Sequence, residues 1–240
     1  MAWVSRQFML LVRVVWDFIK GMYTFGLVEP CVTIFGSARL KHNEFVYQTA
    51  RILGKELGQN GFTIMTGGGP GLMEAANLGA REAGSRSFAC RIKLPFEQSA
   101  NHNLDRHVTF RYFFVRKVMM LRCSCALVVL PGGFGTFDEL FEVLTLIQTK
   151  KIDPLPIVFV GKVYWQPLFQ VFERMVSAGT ISAADINLVM GYTLITDDVS
   201  EAIAHIKANS SHLFRLRGLL PPQARSSSGE FVVAVEDTRP

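Results

Sequence analysis

The sequence predicts an α/β fold: a doubly wound, mainly parallel sheet with helices on both faces. Three observations carry that prediction. Short β-branched and apolar runs alternate with segments whose apolar residues recur at helical spacing. Twice, a strand-like run ends in a cluster of glycines and reopens as a helix. Of the 240 residues 49% are hydrophobic and 19% charged, enough apolar material for a large core and too much for a disordered chain. Strands alternating with helices wind into right-handed βαβ units, and the resulting sheets bind ligands beyond the carboxyl ends of their strands.

The elements follow in order. FMLLVRVVWDFI (8–19) is apolar but carries Arg13 and Asp17. It is too short to span a bilayer and lacks the small-residue cleavage site of a signal peptide. Residues 1–29 therefore read as an amphipathic helix docked on the domain or on a second subunit. A helix lying on a membrane surface is the alternative. CVTIF (31–35) reads as the first strand, and Val46, Ala50, Leu53 and Leu57 mark a helix that Gly61 is placed to end. FTIMT (62–66) is the next strand, followed by GGGPG and a helix to about Ala83. SFACRI (87–92) and VTF (108–110) are strand-like, YFFVRKVMMLRCS a helix and ALVVL a buried strand. TFDELFEVLTLIQTK is read as a helix beginning at Thr136, and PIVFVG and YTLIT as further strands. The domain is expected to cover 30–208. From 209 to 240 the chain turns rich in Ser, Arg and Pro, the composition of a flexible tail.

A net charge of +5 suits anionic ligands, but the basic residues are scattered, so no nucleic-acid partner is expected. The four cysteines form no Cys-x-x-Cys pair and no His cluster completes a zinc site, so no metal is expected. Cysteines within apolar runs fit a reducing compartment, the cytoplasm.

The glycine loops carry the chemistry. In TGGGPGLMEAAN, Gly67, Gly68, Gly69 and Gly71 follow a strand, and Pro70 sits near a helix start, where its missing N–H is not needed. Bare backbone N–H groups beside a helix amino end make a phosphate cradle; a tight turn with close helix packing is the structural alternative. No Lys-Ser/Thr follows either glycine run, which excludes a P-loop. The first loop fits a dinucleotide fingerprint loosely, yet the next strand ends in Ile92-Lys93-Leu94 without the ribose-binding acid. In PGGFGTFDE, Gly132, Gly133 and Gly135 precede Thr136, and Thr136-x-x-Glu139 matches a capping box, which places Asp138 and Glu139 in the first helical turn. The helix before that strand carries Arg116 and Lys117, either of which could meet Glu139 over one pocket.

GGGPGLMEAAN, VRKVMM and PGGFGTFDE together resemble the LOG family of cytokinin riboside 5′-monophosphate phosphoribohydrolases, over roughly residues 30 to 205. The family's Pro-Gly-Gly-x-Gly-Thr-x-x-Glu pattern is matched from Pro131 to Glu139, and its Arg-Lys-x-x-Met element by Arg116, Lys117 and Met120. The N-terminal helix looks like the longer, bacterial-type subgroup. The resemblance implies a Rossmann-like domain. It also implies hydrolysis of the N-glycosidic bond of a purine nucleoside 5′-monophosphate, AMP or N6-modified AMP, to free base and ribose 5-phosphate. Arg116 and Glu139 are then the catalytic pair. Gly132, Gly133, Gly135 and Thr136 bind phosphate, the 67–71 loop and Ser37 line the pocket, and Glu74 holds a ribose hydroxyl. No cofactor is implied. Some members carry the label lysine decarboxylase, but nothing in the sequence suggests a pyridoxal phosphate site. A homodimer or higher homo-oligomer is implied, with FEVLTLIQ and the N-terminal segment as interface surfaces. The family's name brings in cytokinin biosynthesis, which no residue here bears on. A nucleotide-binding sensor or carrier without hydrolysis is the alternative from another class, and a membrane-associated scaffold is a third.

Overall fold

Seven parallel strands form one sheet in the order β4-β3-β2-β1-β5-β6-β7. The strands are β1 (Cys31–Phe35), β2 (Thr63–Thr66), β3 (Ser87–Ile92), β4 (Arg106–Phe110), β5 (Ser124–Val129), β6 (Ile157–Val160) and β7 (Thr193–Thr196). This is a computed structural model; it describes residues 2–26, 31–40, 44–95 and 100–216, with side chains from residue 5 to 210. The helices are α1 (Ala2–Phe25), α2 (Phe45–Gln59), α3 (Leu72–Glu82), α4 (Phe113–Cys123), α5 (Phe134–Gln148), α6 (Lys162–Ser177), α7 (Ala183–Met190) and α8 (Val199–Leu216).

The sheet is covered on both faces, as expected of a parallel sheet. Period-2 alternation sorts each strand's side chains between two cores. On β1, Cys31 and Phe35 join one core with Met119 of α4, Leu140 of α5 and Trp165 of α6. Val32 and Ile34 join the other, with Leu53 of α2, Ala76 of α3 and Ile206 of α8. Helices α2 and α3 pack at very close range: a side chain at Gly54 or Gly79 would strike the backbone of the opposite helix. The small residues of the first glycine-loop helix are therefore packing residues, whatever the loop itself does.

Helix α1 is longer than the apolar run suggested and docks on α4 and β4 through its second half. Its Asp17 is fully buried and accepts hydrogen bonds from the backbone N–H and the guanidinium of Arg111, both at 2.8 Å. At the other end α8 continues to Leu216, past the predicted start of the tail; residues 217–240 lie outside the described residues, as do residues 96–99.

The helix after β5 begins two residues earlier than predicted. Its N-cap is Gly133, with no side-chain cap. Thr136 and Glu139 consequently sit inside α5, Glu139 in the second turn, and the expected capping box between them does not form. Backbone bonds from Thr136 and Phe137 N–H to the Gly133 carbonyl, 2.9 and 3.1 Å, fix this start. The capping box present among the described residues is Ser182 with Asp185, at α7.

Candidate active site

The strand order reverses between β1 and β5. They lie side by side, yet the helices that follow them, α2 and α5, go to opposite faces. The backbone parts there and leaves a crevice at the carboxyl edge. A cleft of about 930 Å³ occupies that point.

Three loops build it. After β1, the Ser37 N–H donates to the Pro131 carbonyl (3.0 Å), and the Ser37 carbonyl accepts from Leu72 N–H (3.0 Å). Ser37 thus ties the two glycine loops together. After β2, Gly71 has φ of +71° and sits so close to Ser37 that a Cβ would lie 2.6 Å from its carbonyl oxygen. Only glycine fits this turn. A buried chain of amides and hydroxyls holds the same loop from below. Thr66 Oγ1 donates to Asn77 Oδ1 (2.7 Å) and accepts from Gly68 N–H (2.9 Å), while Asn77 Nδ2 donates to Ser87 Oγ (2.8 Å). Asn101 Nδ2 reaches the Gly69 carbonyl at 3.2 Å. After β5, Gly133 and Gly135 differ from Gly71. Neither has a positive φ, and nothing lies within 4 Å of where a Cβ would stand. The fold leaves their backbone bare towards the cleft.

The charged pair sits between these loops. Val115, Met119 and Met120 of α4 are buried against the sheet, which sets Arg116 at the edge of the buried face. Its Nε donates to the Cys90 carbonyl at 2.8 Å, and its Nη1 pairs with Glu139 Oε1. Glu139 lies on the buried stripe of α5 with Thr136, Leu140 and Val143. Burial pushes the Glu139 carboxyl above the usual carboxylate range; Arg116 and then Lys117 oppose that rise, and Asp138 and Glu142 add to it. Desolvation outweighs the opposing pull of the two cations.

Of the residues singled out from the sequence, Ser37, Gly67, Gly69, Arg116, Gly132, Gly133, Gly135, Thr136 and Glu139 line the cleft. The others do not. Gly68, at φ of +71°, packs against Ala89 and Arg91, and Gly71 is the N-cap of α3. Glu74 lies further along α3. Met120 is in the core. Lys117 turns to the far side of α4, where its ammonium meets Asp138 Oδ1 (2.8 Å) and Glu142 Oε2 (3.0 Å). Burial lowers the Lys117 pKa, and these two carboxylates more than reverse that, leaving it raised.

The cleft also holds residues that sequence reasoning missed: Arg39, Met73, Arg91, Phe113 and Tyr164. Tyr164 donates from its hydroxyl to the Gly132 carbonyl at 2.6 Å. Its own helix start is held by Asp197, whose Oδ1 accepts from Gly161 and Lys162 N–H at 2.8 and 3.0 Å. No local pattern marks Tyr164; only the sheet order brings α6 to the second loop. Among the described residues, no three His, Cys, Asp or Glu side chains are grouped to hold a metal ion.

A family model described as "Possible lysine decarboxylase" matches residues 73–206, more than half of the chain. The chain belongs to this family, the LOG family. This LOG-family chain is 26% identical over 192 residues to the pyrimidine/purine nucleotide 5′-monophosphate nucleosidase of Escherichia coli (strain K12), covering 76% of this chain and 41% of that protein. It is 33% identical over 116 residues to the cytokinin riboside 5′-monophosphate phosphoribohydrolase of Mycobacterium tuberculosis, covering 48% and 62%. The chain thus spans less than half the length of the first of these relatives. Among solved structures, the molybdenum cofactor carrier protein of Chlamydomonas reinhardtii superposes with a TM-score of 0.52 at 26% identity, covering 75% of this chain and 97% of that one.

Proposed function

We propose that the protein hydrolyses the N-glycosidic bond of a purine nucleoside 5′-monophosphate, AMP or N6-modified AMP, giving free base and ribose 5-phosphate. One observation carries the reading: a nearly buried Arg116–Glu139 pair stands in the cleft beside two glycine loops and the amino end of α5. The bare N–H groups of Gly133 and Gly135 hold the 5′-phosphate, and that anchorage positions the sugar. As the bond from C1′ to the base nitrogen breaks, positive charge grows on the ribose ring, as in glycoside hydrolysis. Glu139, ionised against Arg116, stabilises that charge and orients the water whose oxygen bonds to C1′; the departing base takes up a proton. Met73, Ile92, Leu94 and Phe113 give the cleft an apolar wall suited to a flat base. The names of the E. coli and mycobacterial relatives support the same chemistry.

The likeness to a carrier protein motivates a second reading, nucleotide binding without hydrolysis. The buried acid speaks against it, since a carrier needs no carboxylate at the sugar. The proposal extends to a homodimer. An apolar groove of about 470 Å³ between α4 and α5, lined by Val118, Leu121, Leu146 and Leu155, is suited to a second copy. It extends also to the cytoplasm, a reducing compartment that suits cysteines placed in or beside apolar runs.

The test is to incubate the purified protein with AMP and with isopentenyladenosine monophosphate and to separate the products by chromatography. Free base and ribose 5-phosphate from the wild type, and none from Glu139→Gln, is the expected result. Binding of both nucleotides by calorimetry with no base released would replace hydrolysis with the carrier reading.

A further inference from the structure

Helix α1 is attached to the domain by one face of its second half. Asp17 holds Arg111, Gly21 lies against Met119 and Phe110, and Phe25 meets Phe88. Residues 5–13 are exposed throughout. The face turned away from the domain is apolar over its whole length: Phe8 (66% exposed), Leu11, Val15, Trp16 (54%), Ile19 and Met22, with Tyr23 beside them. Left in water, that row would oppose the hydrophobic effect along several turns.

The charges indicate what covers it. Arg6, Arg13 and Lys20 recur at every seventh position, two helical turns, and so form one stripe bordering the apolar face. The helix has a single acid, Asp17, and it is sequestered with Arg111. The exposed part of α1 therefore presents aromatic and aliphatic side chains edged by positive charge alone. Two such helices packed face to face would bring basic stripes together with no carboxylate between them. A surface of lipid phosphates complements the same pattern. At about 36 Å (24 residues at roughly 1.5 Å each) the helix has length enough for a span. Yet no helix among the described residues is long and apolar enough to cross a membrane.

We propose that α1 is an interfacial anchor that lies along the surface of an anionic bilayer. Its apolar face enters the boundary between headgroups and acyl chains, Trp16 and Tyr23 sit at headgroup level, and Arg6, Arg13 and Lys20 contact phosphates. The membrane-surface alternative weighed for this segment from its sequence is thereby taken up for the exposed face of α1.

Flotation of the full chain with two kinds of vesicle tests this: phosphatidylcholine alone, and phosphatidylcholine mixed with phosphatidylglycerol. Flotation with the mixed vesicles, much weaker with the neutral ones and loosened by salt, is the expected result. Arg6→Ala with Arg13→Ala is expected to lower partitioning roughly tenfold or more, and Trp16→Ser with Ile19→Ser to abolish it. All four positions leave the Asp17–Arg111 attachment intact, so circular dichroism melting should not move for either variant. Protein that stays unbound with both vesicle types overturns the proposal. If sedimentation then shows an oligomer that Trp16→Ser with Ile19→Ser dissociates, the face is a self-contact instead.

Discussion

Arg116 and Glu139 meet as an ion pair in which the side chains are only 11% and 6% exposed. They come from neighbouring helices on one face of the sheet. The next residues repeat the arrangement outside the cleft, where Lys117 takes Asp138 and Glu142. One register between α4 and α5 thus serves two purposes: the inner pair faces the cleft, and the outer set fastens the helices that carry it.

Glu139→Gln preserves the shape of the pair and a hydrogen bond to Arg116. Turnover is expected to fall by about 10²- to 10⁴-fold, with a thermal midpoint near or above that of the wild type. Glu139→Ala removes the acceptor as well as the charge and leaves a cavity beside a nearly buried guanidinium, and is expected to destabilise the fold by about 3 kcal/mol. Urea unfolding of the two variants separates the chemical role from the structural one.

The raised pKa of Glu139 sets a pH window. Its proton is held more tightly in the folded chain than in the unfolded one. As pH rises, the unfolded state loses that proton first, so stability falls between the ordinary carboxylate range and the higher folded value. Glu139→Gln should flatten that segment of the stability profile. Activity runs the opposite way. The ionised form is needed on the proposed mechanism, so kcat/KM, which follows the free enzyme, should drop on acidification at a pH above that of an ordinary glutamate. A wild-type kcat/KM profile flat down to the ordinary carboxylate range would remove the ionised acid from the mechanism.

Gly135→Ala separates ligand from fold. The position is helical, its surroundings are open and its φ is not positive. Alanine there is expected to stabilise the protein by about 0.5–1 kcal/mol and to raise KM at least tenfold by obstructing the phosphate. Gly71→Ala, at positive φ against the Ser37 carbonyl, is expected to destabilise it. Calorimetric melting and initial rates on the same samples decide both.

Tyr164→Phe removes the bond to the Gly132 carbonyl and little else. Because this hydroxyl positions the phosphate loop without touching the sugar, KM should rise several-fold while kcat stays within about twofold. A matched fall in kcat would place Tyr164 in the chemical step.

The sheet was legible because short runs such as the β-branched CVTIF and the largely apolar SFACRI stand between clear punctuation, and both glycine loops fall on its carboxyl edge. The start of α5 was not. Glycine is a weak cap signal and a poor helix former, so Gly133 to Gly135 read as loop, and the Thr-x-x-Glu spacing drew the boundary to Thr136. Arg116 and Glu139 were legible as a motif, but the dominance of burial over the attraction of Arg116 and Lys117 at Glu139 depends on packing no spacing encodes. Tyr164, Arg91 and Asn101 reach the site from another helix, strand and loop, and their short-range sequence offers no reason to single them out. Lys117 illustrates the converse: adjacent to Arg116 in a recognisable element, it points the other way.

In the finished sheet β1 is flanked by β2 and β5, yet these neighbours are made at very different times. Between Phe35 and Ser124 lie 88 residues (36–123), and until they and β5 have been synthesised one edge of β1 has no partner. At about 5–20 residues per second that interval is on the order of five to twenty seconds. For that time a strand that is apolar but for Thr33 stands ready to pair with any other nascent chain. Ribosome-bound chains halted before Ser124 are therefore expected to recruit chaperones or aggregate. Chains halted well beyond Val129, once β5 has cleared the exit tunnel, should do so much less.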